Sequence, residues 1–504
     1  MNLDIAAVRA ALTPERPAVH WRGRWHPYAE MNERANRLAA RLHALGLGRF
    51  DRVAILAHNH LAHLDLVLAT AKAGVVYAPV NHRLSPVELR AVFGLLRPKL
   101  LLHDAANAEA AAATGGPTVA LEDYDDWLGE HPAAPDPAVG PDHPQMILLT
   151  GGTTGLPKGA VIPYRQIAFN AVNTVFSWGL RDDDCVIQAT PCFHAALNVF
   201  TTPLYHLGGR VVLAERFEPG AYLATAQELG ATIAFMVPTM FAMLGEHPDF
   251  DGADLSRVRW AISGGAPCPD PVRERFARRG VRFRQGYGLT EAGVNCFAIT
   301  PEAAERKPWS VGRPVLHARA EVRRHDGSAC APDEIGELTL HGPHVFSGYF
   351  EAPDATAAVL RDGWLSTGDL ARVDADGDFA IVGRRKEMFI SGGENVYPIE
   401  IENACYDHPG VAECAVVGVA DGRWGEVGLL VAVARPGAEL DGDGLRAHLR
   451  ERLAAFKVPK HVRLVSELPK TAAGKVVRDA LREDFATTPV PVADVPRSTR
   501  ENQT

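Results

Sequence analysis

The ten residues TGGTTGLPKG at 150–159, directly after the strand-like run QMILLT, constrain this chain more than any other segment. Gly151, Gly152 and Gly155 lack the side chains that would hold a ligand away from the backbone. Thr150, Thr153 and Thr154 carry hydroxyl donors. Successive N–H groups in such a turn form an anion-binding nest, and Lys158 adds a mobile cation. These are the requirements of a polyphosphate ligand. The string is not a Walker A loop, because no Gly-Lys-Ser/Thr closes it at the required spacing.

Around this loop, short apolar runs alternate with helical patterns. Candidate strands lie at 52–57, 145–150, 232–237, 258–263 and 281–285, with amphipathic stretches such as 28–45 and 221–229 between them. Alternation of this kind predicts layered α/β sheets. The Pro- and Gly-rich stretch 129–144 predicts a loop. From about residue 372 the texture changes to short Gly-punctuated strands (378–382, 413–419, 427–433, 461–465) with helices near 398–407 and 443–455, which predicts a small separate α+β domain. The tail 487–504 has little to bury and is expected to be disordered.

Composition excludes several classes. A chain of 504 residues that is 47% hydrophobic and 22% charged is globular, and its net charge of −9 argues against a grip on nucleic acid or anionic lipid. The best apolar stretch, 64–80, is interrupted by Asp65 and Lys72 and falls short of the roughly 18–20 residues of a membrane span. The N-terminus lacks the apolar core of a signal peptide. Seven scattered Cys without a CxxC pair predict reduced thiols and a cytoplasmic location.

Four further strings carry chemistry. In QGYGLTEAG (285–293), Gly286 and Gly288 flank Tyr287, a ring for stacking; Thr290 adds a hydroxyl and Glu291 a hard carboxylate suited to Mg²⁺. In GWLSTGD (363–369), Asp369 is able to accept from two ribose hydroxyls, although Gly-Asp is more often a turn. GRRKEMFISGGENVYPIEIE (383–402) places Arg384 and Lys386 before a Gly-Gly loop and a helix. PKTAAGKVVR (469–478) puts Lys475 on a Gly-containing loop.

In this order and spacing, the five strings resemble those of the adenylate-forming superfamily: AMP-forming acyl-CoA synthetases, luciferases and peptide-synthetase adenylation domains. The resemblance runs from about residue 15 to 485. It implies a large N-terminal domain (1–385) and a small mobile C-terminal domain (386–486) swinging about a hinge at Lys386. It implies ATP, Mg²⁺ and CoA as ligands. The 150–159 loop, Lys158 included, would hold the β- and γ-phosphates. Thr290 would contact the α-phosphate and Glu291 the metal. Tyr287 would stack on adenine opposite 263–267, with Gly265, Ala266 and Pro267. Asp369 and Arg384 would bind ribose. Lys475 would bridge the acid's carboxylate and the α-phosphate, and Gly392 and Gly393 would line the pantetheine tunnel.

The same resemblance places the acid pocket at 191–200 (PCFHAALNVF) and near 235–240 and 264–266. No carboxylate stands at Phe193-His194-Ala195, where amino-acid-activating relatives carry one, and no Arg lies between 191 and 209. The expected lining includes Ala195, Asn198, Val199, Thr239 and Gly264, with His194 as a gate. Small side chains there favour a bulky hydrophobic acid: aromatic, polycyclic or medium-to-long acyl. Acid–CoA ligation is the leading activity. Loading of a separate carrier protein is the alternative, and a nucleotide-binding regulator without chemistry the third. Many such enzymes are dimers, so a homodimer is possible; no nucleic-acid partner is expected.

Overall fold

The computed structural model describes residues 2–129, 139–150, 157–265, 268–470 and 476–487. Two seven-stranded sheets dominate it. The first runs, in spatial order, 283–285, 260–263, 233–236, 185–188, 210–213, 17–21 and 24–27, all parallel except the last hairpin strand. The second runs 348–349, 158–163, 144–150, 76–80, 52–56, 100–103 and 118–120. Its parallel part ends where the strand Pro144–Thr150 turns back antiparallel on Lys158–Pro163. Parallel strands read as continuous apolar runs because both faces are covered. That is why RVAIL and WAIS were legible as strands.

The helix Leu61–Ala73 is buried along its whole length. An apolar pattern all round a helix is what such a position requires. The two charges that interrupt the run are paired inside the fold. Asp65, fully buried, takes a bidentate guanidinium from Arg34 at 2.8–3.2 Å, and the Lys72 ammonium reaches Asp4 at 2.7 Å and Asn32 at 2.8 Å. Among the described residues, no helix is long and apolar enough to cross a membrane.

A five-stranded antiparallel sheet follows, built from 319–323, 336–341, 364–373, 360–361 and 379–384. A separate five-stranded sheet spans 389–396, 411–421, 425–434 and 461–465, with helices Pro398–Tyr406 and Gly442–Arg450 over it and its own core around Val416, Leu430 and Leu445. The fold is therefore α/β, with a large N-terminal part and a small C-terminal α+β part. The second of these helices ends at Arg450, short of the expected 455. The helix Arg478–Thr487 takes in the first residue of the expected tail; 488–504 lie outside the described residues.

Candidate active site

The ends of the 150–159 string lie on two antiparallel strands, Pro144–Thr150 and Lys158–Pro163. Thr150 and Lys158 are register partners at the ends of the two strands, and the Thr150 hydroxyl donates to the Lys158 carbonyl at 3.4 Å. Gly151, Gly152, Thr153, Thr154 and Gly155 lie outside the described residues, as do Ala266, Pro267 and Lys475. The Lys158 ammonium stands 5.2 Å from the centroid of the Tyr349 ring. Tyr349 is fixed by a short strand, Gly348–Tyr349, added to the edge of Lys158–Pro163. Its hydroxyl donates to Glu291 Oε1 at 2.9 Å. Burial and the adjacent carboxylate push the Tyr349 hydroxyl pKa up, so it stays a donor. Tyr349 escaped the sequence reading, because a lone Gly-Tyr carries no spacing signal; here it ties Lys158 to Glu291.

Glu291 lies in a single 3₁₀ turn, Thr290–Ala292, just beyond the strand Phe283–Gln285. Ligands of open α/β sheets gather at the carboxyl ends of strands, and Gly264–Gly265 and Gly286–Glu291 follow two neighbouring parallel strands there. The glycines serve close packing. A Cβ at Gly286 would lie 2.6 Å from Ile262 Cδ1. One at Gly288 would lie 1.9 Å from the Val294 carbonyl oxygen. The Gly288 vacancy is thus filled by backbone and leaves no room for a substrate. Gly265, at φ +83°, needs its freedom for the turn itself. The Thr290 carbonyl accepts from Gln166 Nε2 at 2.8 Å.

Tyr287, Asp369 and Arg384 come together from three segments. The Tyr287 hydroxyl donates to Asp369 Oδ2 at 2.5 Å and Arg384 Nε lies 3.1 Å from Oδ1. Asp369 is 5% exposed and sits within the ten-residue strand Trp364–Val373, opposite Arg384. The turn that Gly-Asp suggests is in fact strand, with Gly368 at φ +73° inside it. The Tyr287 ring packs edge-on against Phe297, at 5.8 Å between centroids.

The expected acid-pocket residues are less uniform than a small apolar lining. Ala195 and Thr239 are half-buried; Gly264 has Phe235 3.0 Å from where its Cβ would be. The His194 ring lies 4.4 Å from that of Phe193, tilted 54° to it. Asn198 turns into the interior, its amide on Met146 Sδ at 3.5 Å, and Val199 is buried with its carbonyl taken by Asn295. Behind them the helix Tyr164–Trp178 directs Gln166, Asn170, Asn173 and Thr174 inward, all at most 1% exposed. The sequence reading missed this polar wall.

Residues 6–350 match the AMP-binding enzyme family and residues 400–475 the AMP-binding enzyme C-terminal domain. The chain belongs to the adenylate-forming AMP-binding enzymes. A feruloyl-CoA synthase from Amycolatopsis sp is 41% identical over 484 residues, 95% of this chain and 97% of that protein. An indoleacetate–CoA ligase from Aromatoleum aromaticum is 36% identical, covering 94% of this chain and 96% of that protein. The crystal structure of ATP-bound MatB from Rhodopseudomonas palustris superposes with a TM-score of 0.87 at 32% identity, covering 96% of this chain and 99% of that one.

In this AMP-binding enzyme the small C-terminal part begins just after Arg384. Lys386 is exposed, and Arg385 ties back to Glu337 at 2.8 Å. Gly392 and Gly393, both at positive φ, expose the next turn. Trp424 fills the space beside Gly392: a Cβ there would lie 2.7 Å from its ring. That ring is 39% exposed and has the Arg423 guanidinium and Lys460 ammonium near it at 5.0 and 5.6 Å. An open aromatic face with two cations suits a phosphate-bearing nucleotide. The carboxylates Asp374, Asp376 and Asp378 look like a cation site, but the Lys307 ammonium occupies their centre at 2.5, 2.8 and 2.7 Å.

Proposed function

We propose that this acid–thiol ligase activates a bulky hydrophobic carboxylic acid, aromatic in class, with ATP and passes the acyl group to the thiol of CoA. A carboxylate oxygen attacks the α-phosphorus and pyrophosphate leaves; the thiol sulfur then attacks the acyl carbonyl and AMP leaves. Two anions must meet in the first step, so catalysis is positioning and charge neutralisation.

The observation that carries this reading is one turn, 286–291, that joins two sites. Tyr287 meets the Asp369–Arg384 pair at one end, where ribose hydroxyls would be accepted. Thr290 and Glu291 stand at the other, beside Lys158. Asp369 would hold the ribose, Tyr287 would bound the adenine, and Thr290 and Lys158 would take phosphate oxygens. Glu291 keeps Oε2 without a hydrogen bond among the described residues, and a hard carboxylate of this kind fits Mg²⁺. Bound there, the ion would neutralise phosphate charge. The likeness to the feruloyl-CoA synthase and the indoleacetate–CoA ligase supports an aromatic acid. Lys475 would bridge the reacting groups, Lys386 would serve as the hinge, and the Gly392–Gly393 loop beside Trp424 would receive CoA.

The test is mass spectrometry after incubation with ATP, Mg²⁺, CoA and pooled carboxylic acids. The expected product is an aryl acyl-CoA. Accumulation of acyl-AMP alone would make a carrier protein the acceptor. Lys475→Ala is expected to lower adenylation by about 10²–10³-fold, the usual effect of removing one such charge-stabilising group. Thioester formation from supplied acyl-adenylate should persist; equal loss in both halves removes the bridging role.

A further inference from the structure

Lys158 and Glu291 reach the phosphate end of the site from different sheets, and one short segment, 346–350, holds both. Its backbone does so first. The N–H groups of Ser347 and Phe350 donate to the Val161 and Gly159 carbonyls at 3.0 and 2.7 Å, and that of Phe346 donates to the Glu291 carbonyl at 2.8 Å. The last glycine of the 150–159 string belongs to this arrangement. A Cβ at Gly159 would lie 3.3 Å from Phe350 Cβ and 2.7 Å from Ile147 Cγ2. Gly348 takes φ +125°, a conformation that favours glycine, and the Tyr349 N–H that follows is held by Thr356 Oγ1 at 2.9 Å.

Tyr349 then meets the two charged groups with different parts of one side chain. The Lys158 ammonium lies over its ring, 5.2 Å from the centroid, where the ring quadrupole attracts a cation. A ring face places an ammonium without a carboxylate that would cancel its charge, so its N–H donors stay available to phosphate oxygens. The hydroxyl donates to Glu291 Oε1 at 2.9 Å, and the Phe346 ring packs edge-on against Tyr349 at 5.0 Å. With Oε1 taken, the carboxylate is held in one orientation and Oε2 is the oxygen left for Mg²⁺. Hydrogen bonds from a second residue aim metal ligands in this way. Phenylalanine at 349 would keep the ring contact alone.

We infer that Tyr349 is a positioning residue for the phosphate and metal groups at once, its ring setting Lys158 and its hydroxyl setting Glu291. This inference rests on the ATP-binding reading above.

The two contacts separate by substitution: Tyr349→Phe removes the hydroxyl, and Tyr349→Leu removes hydroxyl and ring. The experiment measures, by calorimetry on the full chain, the affinity for AMP, for ATP in EDTA and for ATP in excess Mg²⁺. AMP lacks the β- and γ-phosphates, so it reports the Tyr287–Asp369–Arg384 end and the integrity of the fold. Its affinity is expected to be unchanged in both variants. In Tyr349→Phe the gain that Mg²⁺ brings to ATP affinity falls by about tenfold, while affinity in EDTA is kept. In Tyr349→Leu the affinity in EDTA falls as well, by about 2–30-fold. Equal loss for all three ligands marks a merely structural role and overturns the inference. So does a Tyr349→Phe protein that keeps the full Mg²⁺ gain, or a Tyr349→Leu protein that binds ATP in EDTA as the wild type does. In each of these cases wild-type binding leaves the ATP reading standing. A wild-type protein that binds neither nucleotide overturns that reading and the inference with it.

Discussion

At the scale of single residues, a costly arrangement is the Asp65 carboxylate inside a fully buried helix, held by Arg34. A buried charge left without its partner destabilises strongly, whereas removing both is cheaper. Arg34→Met is therefore expected to lower the unfolding free energy by about 3–5 kcal/mol in urea titration, with much of the loss recovered in the Arg34→Met/Asp65→Asn double variant. An additive double variant would show that the pair does not interact. The same contrast explains what was legible at this scale. Thr290, Glu291, Asp369 and Arg384 are singled out by the order and spacing of their strings taken together, since Gly-Asp alone suggests a turn where the structure has paired strands. Tyr349 is not legible in this way, because it acquires its meaning only from a neighbour far along the chain, Glu291.

At the scale of elements, strands such as Arg52–Leu56 and Trp260–Ser263 were readable from their apolar runs. The polar part of the helix Tyr164–Trp178 was not: Gln166, Asn170, Asn173 and Thr174 are buried beside Ile167, Ala171 and Trp178, and hydrophobic periodicity does not report buried amides. The Leu61–Ala73 helix adds a pH dependence through the imidazoles at its start. Burial, with lesser help from nearby positive groups, holds His60 at about 4, His63 at about 3, and His82 across from them at about 4. His63 is locked neutral, its Nε2–H on the His58 carbonyl and its Nδ1 accepting from the Tyr77 hydroxyl at 2.7 Å. In the unfolded chain each takes a proton near 6.5, so below that pH the unfolded state binds more protons and stability falls. The buried imidazoles of His60 and His63 each contribute about 1 kcal/mol per pH unit between roughly 6.5 and 4, and the half-buried His82 less. Urea unfolding at pH 7.5, 6.5 and 5.5 should show a steady loss below 6.5; a flat profile across that range refutes the assignment.

At the scale of the whole molecule, the change of texture near residue 372 comes too early: its first expected strand, 378–382, is Phe379–Arg384 and pairs with Trp364–Val373 in the preceding sheet, and the last sheet starts at Phe389. Strand order was not legible, since it depends on pairings between distant segments. The first sheet shows why. Its strand Pro17–Trp21 is paired on one side by its own hairpin and on the other by Arg210–Leu213, and Arg9 and Tyr28 bond the Leu207 and Gly209 carbonyls beside it. The strand Pro17–Trp21 therefore has no sheet partner beyond its own hairpin until Arg210–Leu213 has been translated. At ribosomal speeds of about 5–20 residues per second, the roughly 190 residues between them take about 10–40 s. Throughout that interval the hairpin presents one open strand edge, an exposed pairing site. Stalled chains ending before Arg210 should be cut by protease within the first thirty residues, whereas chains that carry the strand clear of the ribosome should resist; equal sensitivity in both would show that the hairpin docks elsewhere first.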